Sequence, residues 1–271
     1  MAKLAVIAGQ GSLPVKIAQR AVNTGHDVIV MPIKGQADAD FSHFDSVPIT
    51  LGTIGNTLAQ LKAHDCDRLV MSGKVVRPSL SALKPDAAAL KLLGKVMTKG
   101  DDSLLRVISD YFAKAGIKTL SPEMFMPDHF APEGLIAGCA PSAGQQADIA
   151  LGTQVLGALG ALDVGQSLIV QNGRVIAIEA AEGTNEMLRR CKNLVDIEET
   201  PAILIKMPKS GQDAKLDVPT IGAETIHIAA ESNVGVIGVL ADGVLFADSL
   251  DVMRQLCEQH EVSLIGLTGE R

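Results

Sequence analysis

Aromatic residues are scarce in this chain of 271 residues, which has no Trp, one Tyr and six Phe. Proteins that bind single-stranded nucleic acids stack bases on aromatic side chains, and phosphate backbones are bound by clustered Lys and Arg. Lys and Arg number 24 here against 31 Asp and Glu, which gives a net charge of −7. We therefore expect no nucleic-acid partner.

Several short catalytic and metal-binding motifs are also missing. The four cysteines form no C-x-x-C pair, which is typical of reduced thiols in a cytosolic protein. The six histidines form neither H-x-H nor H-E-x-x-H, which argues against a zinc site. The chain has no G-x-S-x-G elbow and no P-loop motif, so serine-hydrolase and P-loop mechanisms are disfavoured.

Long apolar runs are absent as well. The longest apolar stretch, residues 149–162, is interrupted by Thr153 and Gln154 and is shorter than the roughly 20 residues that span a bilayer. The first apolar run, Leu4 to Ala8, turns directly into Gly9, as a first strand does and a signal peptide does not. We expect a cytoplasmic protein with at most peripheral contact at the inner membrane.

The first half of the chain alternates strand-like and helix-like segments. The strand-like run that ends at Ala8 is followed by a helical stretch opened by Pro14 and by a second apolar run at residues 28–31. The same alternation continues to about residue 120. It predicts an α/β fold with a parallel sheet and helices on its faces.

The second half has a different pattern. Asn172-Gly173 separates two β-type runs, which is a strong hairpin signal because both turn residues tolerate positive φ. Four prolines lie between residues 122 and 141 without a sustained period. We therefore predict an α/β N-terminal domain at 1–130, a linker at 131–145 and a mixed α/β C-terminal domain at 146–271.

The glycine loop Gly9-Gln10-Gly11-Ser12-Leu13 lies where the first strand meets the first helix, a place where backbone amides can bind phosphate. Pro14 stands where a dinucleotide fingerprint has its third glycine, and no acidic residue directly follows the second strand, which disfavours a nicotinamide cofactor. A nucleotide or anion site and a structural turn both remain open.

The densest polar segment runs from Lys206 to Thr220, after a predicted strand. Its aspartates, Asp213 and Asp217, are candidate Mg²⁺ ligands, and its lysines could neutralise phosphate charge. The four-residue spacing brings these two carboxylates together only if the loop curls. An exposed charged loop is the alternative.

Two further places carry candidate ligand contacts. Thr184, after Glu182-Gly183, is either a helix cap or a ligand contact. Arg77 could bind phosphate through its guanidinium group or could be an ordinary surface residue. The apolar stretch 149–162 could line an acyl-chain cleft, although an ordinary core helix is the more frequent use of such a pattern.

An ordered set of short blocks resembles one protein family, the UDP-2,3-diacylglucosamine pyrophosphatases of lipid A synthesis that are unrelated to the calcineurin-like enzyme for the same step. The blocks extend over nearly the whole chain. They are Gly11-Ser12-Leu13-Pro14, Val76-Arg77-Pro78, Gly100-Asp101-Asp102-Ser103-Leu104-Leu105-Arg106, Asp163-Val164-Gly165-Gln166, Glu182-Gly183-Thr184, and Gly211-Gln212-Asp213 followed by Asp217-Val218-Pro219-Thr220-Ile221-Gly222.

The resemblance implies Mg²⁺-dependent hydrolysis of UDP-2,3-diacylglucosamine to UMP and 2,3-diacylglucosamine 1-phosphate, by water attack at the sugar-side phosphorus. It implies a substrate held by a Rossmann-like and a C-terminal domain. Carried onto this chain, it makes Asp217 the first candidate for the essential carboxylate, followed by Asp213 and Lys209. The expected substrate-binding residues are Gly9, Gly11, Ser12, Leu13, Arg77, Lys206, Gln212, Thr184, Asn185 and Thr220.

The chain departs from the family pattern in the Glu-Gly-Thr-Asp block, where Asn185 stands in place of the usual Asp. An Asn retains an oxygen ligand without the charge. A non-catalytic nucleotide- or lipid-binding module therefore stays open. A hydrolase of a soluble nucleotide sugar is a second alternative. We also expect a homodimer, because closed twofold dimers are the commonest oligomers.

Overall fold

The computed structural model describes residues 3–76, 83–96 and 101–269. Contacts between residues divide the chain into two compact units. Unit 1 comprises Met1–Pro127 together with Asp213–Asp217, and unit 2 comprises Asp128–Gln212 and Val218–Arg271. The short segment Asp213–Asp217 thus belongs to unit 1 by its contacts, although its neighbours in sequence belong to unit 2.

Unit 1 is an alternating α/β fold, as the sequence predicts. Its elements are β1 (Lys3–Ala8), α1 (Leu13–Asn23), β2 (Val28–Pro32), α2 (Ile54–Ala63), β3 (Cys66–Ser72), α3 (Ala87–Val96), α4 (Asp101–Lys114) and β4 (Lys118–Thr119). Within the described residues the strands form a parallel sheet in the order β2-β1-β3-β4.

The sheet of unit 1 is buried on both faces. β1 reads Leu-Ala-Val-Ile-Ala after Lys3, and all five of these residues are buried. Such continuous apolar runs are typical of central parallel strands, which helices cover on both sides. Ile17, Ala18 and Ala21 form the buried stripe of α1, and Phe112 of α4 is part of the core cluster that contains β1, β2 and β3 residues.

Unit 2 contains a mixed sheet. Its elements are β5 (Gly134–Ala137), α5 (Ala143–Gly160), β6 (Ser167–Gln171), β7 (Arg174–Ile178), α6 (Thr184–Cys191), β8 (Ala202–Lys206), β9 (Thr220–Ile221), α7 (Ala223–Glu231), β10 (Val234–Leu240), β11 (Leu245–Phe246), α8 (Leu250–Gln259) and β12 (Ser263–Leu267). Among the described residues, six strands pair in the order β5-β12-β10-β8-β6-β7, with β5 and β6 antiparallel to their neighbours.

Alternating residues of this sheet pack on opposite faces. On β8, Ile203 and Ile205 belong to the cluster under α5, whereas Ala202 and Leu204 belong to the cluster with α6, α7 and α8. The period of two along a strand produces this division. The stretch 149–162 therefore lies mostly in α5 and packs on the sheet, as the core-helix alternative predicts. No helix in the described ranges has the length and apolar character needed to cross a bilayer.

The stretch 131–145, which the prolines suggest is a linker, is structured. It contains β5, which pairs with β12 at the edge of the unit 2 sheet, and the first residues of α5. Gly138 approaches the backbone of Ser263 closely, since a Cβ there would lie 2.8 Å from Ser263 Cα. This contact fixes the chain between β5 and α5.

The cysteines provide a chemical test of this packing. Cys66, Cys191 and Cys257 are buried and Cys139 is exposed. Burial raises the pKa of the Cys66 thiol to about 11 and that of Cys257 to about 12, and it raises the pKa of Cys191 as well.

Because the thiolate is the reactive form, we expect iodoacetamide at pH 8 to modify Cys139 alone in the folded protein, as measured by intact mass. Rapid modification of a second cysteine before unfolding contradicts the packing.

Candidate active site

The glycine loop after β1 is bound to the loop after β3. Gly9 N donates to Ser72 O at 2.8 Å, Gln10 N donates to Lys74 O at 2.8 Å, and Lys74 N donates back to Gln10 O at 3.2 Å. A Cβ on Gly9 would lie 2.6 Å from Lys74 O, so a glycine is required at this close approach. The amides of Gly9 and Gln10 therefore already have partners within unit 1.

The next amide of the loop also has a partner. Gly11, at φ +91°, donates its N–H to Asp38 Oδ1 at 2.7 Å. Ser12 is the N-cap of α1, and its side chain makes no capping hydrogen bond. Of the loop residues predicted to bind substrate, Ser12 and Leu13 lie at the start of the helix, where amides point out of the helix end. The carboxylate of Asp38 is a contact that the sequence did not predict.

A buried polar cluster lies where β8 ends and β6 begins in the unit 2 sheet. It consists of Ser167, Glu179, Thr184 and Lys206, which are 0%, 6%, 8% and 4% exposed. Lys206 Nζ donates to Thr184 Oγ1 at 2.6 Å, and Thr184 Oγ1 donates to Glu179 Oε2 at 3.1 Å. Ser167 Oγ also donates to Glu179 Oε2 and lies 3.4 Å from Thr184 Oγ1.

The strand register brings these residues together. Ser167 is the cross-strand partner of Lys206, and Glu179 N donates to Ser167 O at 2.9 Å. Ser167 and Lys206 each lie two residues from a side chain of the core that α6 covers, Ile169 and Leu204. Strand alternation therefore directs both side chains to the face where α6 begins.

Burial makes this cluster energetically demanding. A charged group removed from water is costly unless it is paired and hydrogen-bonded. Here the Thr184 hydroxyl connects the ammonium group of Lys206 to the carboxylate of Glu179, so each charge has a hydrogen-bonded neighbour in a low-dielectric site. Electrostatic interactions with an incoming anion are strengthened in such a site.

The loop that follows β8 is held by its own hydrogen bonds. Lys209 N donates to Gln212 Oε1 at 2.8 Å, and Gln212 N donates to Lys209 O at 3.0 Å. The ammonium group of Lys209 pairs with the carboxylate of Asp163. A Cβ on Gly160, at the end of α5, would lie 2.9 Å from Ser210 N. Lys209 and Gln212, both predicted site residues, are thus fixed in a defined turn.

The two candidate carboxylates lie in a single curled turn. Leu216 N and Asp217 N donate to Asp213 O at 2.8 and 3.2 Å, and Lys215 N donates to Asp213 Oδ1 at 3.0 Å. The backbone from Asp213 to Asp217 is therefore curled, as their four-residue spacing requires if the two side chains are to act together. Asp213 uses one carboxylate oxygen to cap this turn.

The remaining predicted residues have the following surroundings. Thr220 Oγ1 donates to Val218 O at 2.9 Å. Asn185, in the first turn of α6, accepts a hydrogen bond from the Thr225 hydroxyl of α7 at 3.0 Å. The side-chain oxygen of Asn185 is therefore in use within unit 2. Arg77 lies outside the described residues.

The carboxylates of Asp213 and Asp217 suit an Mg²⁺ ion that takes most of its ligands from substrate phosphates and water. Within the described ranges no group of three His, Cys, Asp or Glu residues is arranged to hold a metal ion. Mg²⁺ is commonly bound through one or two carboxylates, while waters and substrate phosphates supply its other ligands. Asp213 and Asp217, in one curled turn, fit that smaller requirement.

Comparison with known proteins identifies the family. The family sequence model of the LpxI N-terminal domain matches residues 3–129, and the family sequence model of the LpxI C-terminal domain matches residues 132–265. The chain belongs to the LpxI family. A relative in Caulobacter vibrioides, named UDP-2,3-diacylglucosamine pyrophosphatase LpxI, is 37% identical over 247 residues, which cover 88% of each chain.

Solved structures give only weak likenesses. The CobK precorrin-6A reductase is 13% identical with a TM-score of 0.32, covering 97% of this chain and 98% of that one. A UDP-N-acetylglucosamine 4-epimerase from Bacillus cereus is 11% identical with a TM-score of 0.31, covering 99% of this chain and 76% of the epimerase. Likenesses at this level do not bear on function.

An ion pair beside the buried cluster gives a pH test. Burial raises the pKa of the Glu182 carboxyl, but hydrogen bonds from its own N–H, from Arg190 and from Ala180 outweigh that effect and hold the pKa below its usual value. Arg190 donates Nε and an Nη to Glu182 Oε1 at 3.0 and 2.9 Å. A lowered pKa contributes stability above the unfolded value of about 4.3, and that stability is lost as the pH falls through the folded value.

We therefore expect Glu182→Gln to lower the free energy of unfolding by about 0.5–1 kcal/mol at pH 7 and to cost progressively less as the pH falls below about 4.3. Chemical denaturation at several pH values measures this. Arg190→Gln serves as the matched variant, and the double variant should lose less than the sum of the two single losses. Full additivity contradicts the pairing.

Proposed function

We propose that this protein hydrolyses the pyrophosphate of UDP-2,3-diacylglucosamine in lipid A synthesis, yielding UMP and 2,3-diacylglucosamine 1-phosphate. The observation that carries the proposal is membership of the LpxI family across both matched domains, with a 37% identical relative that bears this activity in its name. The buried ammonium group of Lys206 and the curled aspartate turn supply chemistry that such a reaction needs.

Lys206 neutralises charge on the pyrophosphate in this proposal. Its Nζ is held by the Thr184 hydroxyl in a buried place, so it needs little reorganisation when negative charge grows in the transition state. Preorganised charges of this kind account for much of the rate acceleration in phosphoryl transfer. Lys209, paired with Asp163 in the turn after β8, is a second cationic group near the same strand end.

Asp217 is the catalytic carboxylate in this proposal, acting on the attacking water or holding Mg²⁺ together with Asp213. When bound, Mg²⁺ would neutralise pyrophosphate oxygens. The oxygen of water forms a bond to the sugar-side phosphorus and loses a proton to the Asp217 carboxylate or to solvent, while the bond from that phosphorus to the bridging oxygen breaks. UMP leaves with the bond's electron pair, so no covalent enzyme intermediate is needed.

Release of UMP from UDP-2,3-diacylglucosamine tests the function directly. We expect turnover with Mg²⁺, its loss in EDTA, and a fall in kcat of at least about 10²-fold for Asp217→Asn. Asp110→Asn, an exposed aspartate of α4, is the matched control and should keep full activity. Folded natural protein that binds the lipid without releasing UMP points to the binding-module alternative, and preference for a delipidated UDP-sugar points to a soluble substrate.

The hydroxyl that links Lys206 to Glu179 gives a second test. Thr184→Val keeps the shape of the side chain and removes both hydrogen bonds, each to a charged group, so kcat should fall on the order of 10- to 100-fold. Thr184→Ser keeps the hydroxyl and should stay within about threefold of the natural rate. Steady-state kinetics and thermal unfolding of both variants separate catalysis from folding. Equal rates for the Val and Ser variants contradict the role of the hydroxyl.

We also propose that the protein works in the cytoplasm with peripheral contact at the inner membrane, since its substrate carries acyl chains. A homodimer is the assembly that base rates favour. Co-sedimentation with vesicles and the mass of the protein in solution test these two proposals separately.

A further inference from the structure

The strand order of unit 1 marks a position where ligands commonly bind. From β1 the chain passes through α1 to β2 on one side, and β3 and β4 lie on the other side of β1. The order therefore reverses between β1 and β3. In open α/β sheets ligands bind outside the carboxyl ends of the strands at such a reversal.

Three loops meet at these carboxyl ends and are joined by hydrogen bonds. The loops after β1 and β3 are paired through Gln10 and Lys74. The loop after β2 is bound to the loop after β3 by Gln36, whose Nε2 donates to Val76 O and whose Oε1 accepts from Val76 N, both at 3.0 Å. The same loop carries Asp38, which binds the glycine loop.

Asp38 determines what this corner of the glycine loop can bind. Its carboxylate is exposed, and one oxygen accepts the Gly11 N–H at 2.7 Å. A phosphate placed on the Gly11 amide would meet a like charge. A hydroxyl donor is attracted instead, because each carboxylate oxygen can accept more than one hydrogen bond. The site therefore favours a neutral polyol over an anion.

Nucleotide-binding α/β domains combine a glycine loop with an acidic residue after β2 that accepts hydrogen bonds from ribose hydroxyls. Asp38 comes six residues after Pro32, the last residue of β2. In the dinucleotide fingerprint the acidic residue directly follows this strand, so the sequence pattern does not identify Asp38. The fold of the intervening loop nevertheless brings its carboxylate to Gly11. This contact is the physical counterpart of the missing acidic residue.

We propose that Asp38 is a ribose-binding residue, whose carboxylate accepts hydrogen bonds from the vicinal hydroxyls of a nucleotide ligand. The inference deepens the proposed function and rests on its nucleotide substrate. It assigns the glycine loop to the nucleoside end of the ligand and leaves phosphate to the amides of Ser12 and Leu13. The residue is a binding residue and takes no part in the chemical step.

Calorimetric binding of UMP and of 2′,3′-dideoxy-UMP tests this proposal in the natural protein and in Asp38→Ala. The natural protein should bind UMP on the order of 10- to 100-fold more tightly than the dideoxy compound, as expected for hydrogen bonds to a charged group. Asp38→Ala should weaken UMP binding by a similar factor and leave dideoxy-UMP binding within about threefold. Removing the ribose hydroxyls and removing the Asp38 carboxylate should therefore have non-additive effects on binding. A purely structural role of Asp38 would weaken the binding of both ligands equally.

Two matched variants accompany the test. Asp38→Asn keeps an oxygen acceptor for Gly11 N–H and should lose less affinity for UMP than Asp38→Ala. Asp40→Asn, two residues on, changes a carboxylate that accepts the Ser42 N–H and should bind both ligands as the natural protein does. Thermal unfolding confirms that each variant is folded.

Equal affinity of the natural protein for the two ligands overturns the proposal, as does an equal loss for both ligands in Asp38→Ala or the absence of UMP binding by the folded protein. The proposed function is tested separately, by measuring UMP release from the lipid substrate. A protein whose UMP binding depends on Asp38 but which releases no UMP keeps the ribose site and loses the enzymatic assignment.

Discussion

The buried contact of Lys206 with Thr184, and of Thr184 with Glu179, is the constraint on which the candidate site depends. An ammonium group and a carboxylate that are almost fully removed from water must be hydrogen-bonded, or the fold loses several kcal/mol for each. The register of β6 with β8 and the start of α6 at Thr184 satisfy that requirement together. A change in either element would break this chain of hydrogen bonds.

The same constraint connects stability with reactivity. Gly183 precedes α6 at φ +84°, a conformation that glycine adopts without strain. This turn delivers Thr184 to the buried cluster, and the Glu182–Arg190 pair holds the turn from the exposed side. Fixed side chains in a low-dielectric place cost little reorganisation when negative charge develops, which is the property that pyrophosphate cleavage requires.

Much of the fold was predictable because it follows from periodicity and turn chemistry. Asn172-Gly173 forms the predicted hairpin turn, with both residues at positive φ, and the alternating first half forms the predicted parallel sheet.

The contacts between distant residues were not predictable. Asp38 reaches Gly11 across 27 positions, and Glu179 meets Lys206 through a hydroxyl of a third element. A single sequence offers no period that relates such residues, although the hairpin register and strand alternation indicate that Ser167 and Glu179 are neighbours. The pairing of β5 within the proline-rich stretch was missed because four residues are too few to show a period.

Hydrolysis in water enriched in ¹⁸O tests the central claim most directly, because it reports both the bond that is cleaved and the phosphorus that is attacked. We predict that the natural protein with Mg²⁺ and UDP-2,3-diacylglucosamine places one ¹⁸O in the 2,3-diacylglucosamine 1-phosphate and none in UMP, as read by mass spectrometry of both products. Label found in UMP instead would contradict attack at the sugar-side phosphorus, and unlabelled products would exclude direct attack by water.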